Sequence, residues 1–169
     1  MWQGKLSLIA PSHRCAKGFT LIELLLTLAL LATLSTVAYP LTAVMGKRDR
    51  ELELQRSLRE IRRAIDSYKE AADDGRIEKS ISDSGYPPNL QALVQGVTDK
   101  SDIKGRKLFF LRRIPRDPVC ECPELPPIDT WQLRSYQSSV DNPSEGEDVF
   151  DVSSRNQRES LNGTPYTRW

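Results

Sequence analysis

The sequence predicts an α+β chain in which one long N-terminal helix, apolar at first and amphipathic later, leads into a small antiparallel β domain. Three observations carry this. Residues 19–38 are dominated by Leu, Ile and Ala, and Glu23 is the only charged residue between Lys17 and Lys47. Leu54, Leu58, Ile61, Ile65, Tyr68 and Ala72 then recur at steps of four and three, which lines one face of a helix. From about Arg76 the chain changes character: nine of the 11 prolines fall there, and two short runs, 131–135 and 149–153, alternate apolar with polar residues as half-buried strands do.

The apolar run comes first. About 20 residues make roughly 30 Å of helix, enough to cross the hydrocarbon core of a bilayer. A carboxylate within such a span costs about 2.5–3.5 kcal/mol or more, so Glu23 calls for a partner. The plainer readings are a secretory signal peptide or a simple anchor. A signal peptide has an apolar stretch of only about 7–15 residues and ends at small residues, and no A-x-A pattern closes this run. An anchor fits the length but gives Glu23 no role.

The helix is expected to continue past Pro40, with a kink or local loosening there because proline removes a backbone donor. On its second half Arg62 and Asp66, and Lys69 and Asp73, are spaced as i,i+4 ion pairs, and Gly75 stands where a C-cap belongs. From Phe19 to about Asp74 such a helix would be roughly 80 Å long. Its apolar stripe says only that it packs against the chain's own domain. Gly85-Tyr-Pro-Pro-Asn89 then reads as a turn into a short helix over 90–95, stopped by Gly96.

Composition bounds the function. The chain has 169 residues, 24 basic against 23 acidic. Without Lys5, Arg14 and Lys17 near the N-terminus, the remainder is slightly acidic, unlike a phosphate-driven nucleic-acid binder. The single histidine, His13, also lies in that N-terminal stub, so the rest of the chain has no imidazole for Ser-His-Asp or Cys-His catalysis or for a metal. No phosphate-binding glycine loop appears. An enzyme is not expected. Beyond Cys15, the two cysteines stand as Cys120-Glu-Cys122 among prolines. They are open to a strained local disulfide, a bridge to another subunit or an incomplete soft-metal site, and the local redox-sensitive pair is favoured.

The string KGFTLIELLLTLALL at 17–31 resembles the N-terminal signature of type IV pilins and type II secretion pseudopilins. The resemblance implies a leader at 1–18 and cleavage by a prepilin peptidase between Gly18 and Phe19. It further implies methylation of the Phe19 amine, and a glutamate, Glu23, as fifth residue of the mature chain. It divides the chain into leader (1–18), membrane helix and filament core (19–40), amphipathic continuation (41–74) and periplasmic domain (75–169). YPPNLQALV at 86–94, FLRRIPRDP at 110–118 and an acidic loop at 138–151 are similar to the major pseudopilin of type II secretion systems in particular. The similarity weakens after Pro118, where CECPELPP replaces a glycine-rich turn, and at the ending SLNGTPYTRW.

The resemblance implies the rest of the reading. Glu23 pairs with the Phe19 amine of a neighbouring subunit in a homo-oligomeric filament set in membrane lipid, raised by an inner-membrane secretion platform, with no nucleic acid involved. Basic residues on both sides of the apolar run leave orientation open on charge alone; the leader places the C-terminal domain in the periplasm. The acidic loop lies where major pseudopilins bind calcium, which wants six to eight oxygen ligands. Asp141, Asp148 and Asp151 would be the ligands, against the plainer reading of a solvated loop. The alternatives are a type IV pilin or competence pseudopilin, a minor tip pseudopilin, or an unprocessed single-pass anchored binding module.

Overall fold

The computed structural model describes residues 18–79 and 83–169, with 37–41 described by backbone alone. The chain is α+β: a long N-terminal helix and a small domain holding two antiparallel two-stranded sheets, as a pilin-like fold has. It divides into two compact units, residues up to Thr42 and Ala43–Trp169.

Helix α1 runs Leu21–Asp73 and is continuous through Pro40. It begins two residues later than the expected start at Phe19. Among the described residues no helix is long and apolar enough to cross a membrane. The fully described apolar stretch, 21–36, spans about 24 Å, short of the roughly 30 Å of hydrocarbon. The expected span, 19–40, runs into 37–41, whose side chains lie outside the description. Of the expected leader, only Gly18 is described.

In the second unit the stripe behaves as its spacing predicts. Leu54, Leu58, Ile61, Ile65, Tyr68 and Ala72 are all buried. Gly75 ends the helix with φ +74°: its N–H bonds to Ala72 O (3.1 Å) and that of Arg76 to Ala71 O (2.9 Å), a Schellman pair that closes the last carbonyls. Helix α2, Leu90–Gln95, starts on Asn89, whose side chain accepts from Ala92 N at 2.9 Å, and presents Leu90 and Leu93 to the core. At Gly96, φ is +74° and an added Cβ would meet Leu108 O at 2.9 Å, so only glycine fits between α2 and the strand beside it.

Strands β1 (Val97–Thr98) and β2 (Lys107–Leu108), which the sequence pattern did not reveal, pair antiparallel. Strands β3 (Trp131–Arg134) and β4 (Asp151–Ser154) match the two alternating runs and pair in register Trp131↔Ser154 through Arg134↔Asp151. Trp131 is fully buried and donates its indole N–H to Pro115 O (2.8 Å), which binds the RRIP segment to β3.

Polar ties finish the second unit. Lys69 pairs with Asp73 as expected. Arg62 does not take Asp66: it binds Asp151 Oδ1 (2.7 Å), Val152 O (3.1 Å) and Trp169 O (2.7 Å), because three acceptors of β4 and the chain's last residue converge on it. Buried Glu51 accepts from Tyr166 Oη (2.8 Å) and Leu161 N (2.8 Å), and Lys47 donates to Glu159 O (2.7 Å). The unfamiliar ending is thus a strap laid along α1. Burial, with the bond to Glu51, pushes the Tyr166 phenol up to about 12. Cys120 and Cys122 are bonded to each other, the local pairing favoured above. Among the described residues no buried side-chain nitrogen or oxygen lacks a hydrogen-bond partner.

Tyr166→Phe removes the hydroxyl that donates to Glu51, and the expected loss is about 1–2 kcal/mol in denaturant unfolding. Acid should act through Asp99. A hydrogen bond from Arg76 (2.6 Å), then those from Ser101, lower its carboxyl from 3.8 to about 2. Its contribution is therefore whole above the unfolded value and disappears as pH falls from about 4 to about 2. Thermal midpoints of Asp99→Asn should be flatter over that window than those of the parent.

Candidate functional site

The N-terminal end of α1 is built by Thr20. Its hydroxyl accepts from Glu23 N (3.3 Å) and its carbonyl from Leu24 N (3.2 Å), so Thr20 is the N-cap. The pattern Thr20-x-x-Glu23 is that of a capping box and was legible in the sequence, though it was not used there. The cap explains the helix start at Leu21 and leaves Gly18 and Phe19 outside the helix and exposed, with open space around the Gly18 Cα among the described residues. A peptide bond presented this way is accessible to a processing enzyme.

Glu23 lies in the first turn, where the free N–H groups favour a negative charge. It is exposed, and its carboxylate has no partner among the described residues. Apart from Thr20 and Thr27 on its own face, the surface around it is apolar. Phe19 is 81% exposed, Leu21 80% and Ile22 75%, and Leu24, Leu25, Leu28 and Leu31 are each more than half exposed. A helix apolar all round is stable only inside lipid or among other helices.

Its few hydroxyls do not spoil that surface. Thr27, Thr33, Ser35 and Thr36 each donate back to a carbonyl three or four residues earlier, at 2.7–2.9 Å. Every polar side chain between 24 and 36 is thereby satisfied within the helix, as an apolar medium requires. Glu23 is the exception.

The three aspartates of the acidic loop have other work. Asp151 lies on β4 between two guanidiniums, Arg62 (2.7 Å) and Arg134 (3.2 Å), and also accepts from Val152 N. Both of its carboxylate oxygens are therefore engaged by guanidiniums within the domain. Asp148 takes the hydroxyls of Ser84 and Ser135 (2.7 Å to the latter) and Tyr136 N (2.9 Å), closing the loop onto β3. Burial works to raise its carboxyl, but these bonds hold it below the usual value. Asp141 is exposed at the loop tip. Among the described residues no three His, Cys, Asp or Glu side chains are grouped to hold a metal ion.

Residues 13–39 match the family described as the prokaryotic N-terminal methylation motif. No curated protein matches the chain, and no solved structure does. The match covers the leader junction and the first part of α1. It supports a type IV pilin-like protein with a prepilin-type leader and a membrane-anchored N-terminus, structural in character, processed by a prepilin peptidase and assembled into pilus-like filaments.

Asp151→Ala should cost about 2 kcal/mol, less than a fully buried pair because Arg62 and Asp151 both keep contact with water. The same loss is expected with calcium in excess and with calcium chelated. A loss that appears only in the presence of calcium would mark Asp151 as a ligand.

Proposed function

We propose that the chain is a pseudopilin of a type II secretion system, made with a leader at 1–18, cut between Gly18 and Phe19, and methylated on the Phe19 amine. Its mature helix joins a filament at the inner membrane that pushes folded proteins toward an outer-membrane pore. The observation that carries this reading is Glu23: a carboxylate without a partner among the described residues, in a largely apolar surface, within the matched motif and one turn from the proposed new N-terminus. The secretion-specific part draws its support from YPPNLQALV and FLRRIPRDP, which build the α2 start and the Trp131 dock.

The chemistry follows from the medium. Cleavage creates an ammonium at Phe19 beside the N-terminal turn. An unpaired Glu23 is costly in hydrocarbon and sheds most of that cost only against a cation. Within one subunit the N-terminal turn offers a partial positive charge; a neighbour's Phe19 ammonium offers a full one. Docking thus supplies both attraction and register, and Leu21, Ile22, Leu24 and Leu25 fill the apolar contact around it. The platform in the inner membrane, the secreted cargo and the other filament subunits are the partners of this reading.

Co-expression with a prepilin peptidase should shorten the chain to a product beginning at methylated Phe19, read by intact mass and N-terminal sequencing. Glu23→Ala should be processed normally yet fail to form filaments that can be sheared or cross-linked. In the native host, loss of the chain should halt release of secreted enzymes while surface motility and DNA uptake continue. The reverse pattern would assign it to a pilus instead.

A further inference from the structure

Arg56, Arg59 and Arg63 follow one another at steps of three and four, so they share a face of α1. With Glu60, Ser67, Phe110 and Arg112 they line a shallow groove of about 580 Å³, and Arg113 joins Arg56 in the groove beside it. All five arginines are exposed, and among the described residues none forms a hydrogen bond or an ion pair. Glu60 stands one turn from Arg56 yet does not pair with it. Arg59 and Arg63 form an i,i+4 like-charge pair, which weakens a helix rather than supporting it. Five guanidiniums without an ion pair among the described residues, with Asp49, Glu53 and Glu60 along the same grooves, leave an excess of positive charge that an anionic partner would meet.

The same unit carries a surface of opposite sign. A groove of about 850 Å³ is lined by Asp83, Glu145, Glu147 and Asp148 with Tyr86 and Tyr136. The loop above it, 138–147, holds Asp141, Glu145 and Glu147 and no basic residue. Asp141 and Glu147 are exposed and have no side-chain partner among the described residues. The two grooves share no residue. Around α1 the arginine face and the Tyr68–Ala72 face that borders the acidic groove lie about 165° apart, at 100° per residue.

We propose that the arginine groove receives the acidic loop 138–147 of a second copy of this chain, giving a head-to-tail contact between domains. The inference rests on the filament reading above and adds to it a contact outside the apolar helix. Opposite charge on two separate surfaces of one domain is what a heterologous interface needs, and such an interface repeats into an open helical array. Its charges are exposed, so the contact is salt-sensitive and specifies which surfaces meet more than how tightly they hold.

The test uses the full chain, processed and in the membrane. A photoreactive benzophenone amino acid replaces Ser67 at the groove, and in a parallel protein Leu25 on the apolar helix. The Ser67 position should cross-link to peptide 138–147 of another copy. Arg59→Glu with Arg63→Glu, or Asp141→Lys with Glu147→Lys, should each lower that yield at least about fivefold, and combining all four in one chain should restore it. Raising salt from about 50 to about 500 mM should lower it as well. Cross-links from Ser67 to phospholipid or to another segment, or a yield indifferent to charge reversal, would overturn the interface while cross-links from Leu25 leave the filament standing. No inter-chain product from either position would overturn both.

Discussion

Much of the second unit depends on where one guanidinium goes. Arg62 leaves α1 just beyond the buried Ile61 and meets Asp151, Val152 O and Trp169 O. It therefore joins three segments far apart in sequence: the helix, the first residues of β4 and the end of the strap. Asp151 also takes Arg134, which lies over the Phe150 ring at 4.6 Å and so extends the joint to β3. Apolar burial along α1 supplies most of the attraction, but that attraction is non-directional. Arg62 fixes register, because a guanidinium bound by three oxygens of set geometry tolerates little sliding.

What the sequence made legible was local. The stripe of α1, the C-cap at Gly75, the turn at 85–89 into the short helix and the two alternating runs each depend on neighbours a few residues away, and each was found close to its expected place. The partners of Arg62 and Glu51 lie about 90 or more residues away along the chain, and no periodicity records them. Arg62 and Asp66 had suitable spacing, yet an i,i+4 pair on a helix surface contributes only a few tenths of a kcal/mol, so three oxygens elsewhere outcompete it. Strands β1 and β2, two residues each, are too short to show alternation.

The functional end followed the same rule with a different outcome. Gly18, Phe19 and Glu23 were read from a contiguous motif, and the N-cap at Thr20 adds a physical reason for that motif's threonine. The acidic loop was read from composition, which says that carboxylates are near one another in sequence and nothing of what they face. Two guanidiniums take Asp151, and two hydroxyls with a backbone N–H take Asp148.

The four back-bonded hydroxyls of α1 have a consequence for partner choice. Once Thr27, Thr33, Ser35 and Thr36 are satisfied inside their own helix, the surface from 24 to 36 offers a neighbour nothing but shape and hydrocarbon. Most of its leucines could be exchanged for isoleucine or methionine with little effect on such contacts. A helix of this kind cannot tell a copy of itself from any other chain with a similar apolar stretch and one glutamate. Mixed assemblies of related subunits are then permitted by the apolar helix, and the power to accept one relative and refuse another belongs to the folded domain.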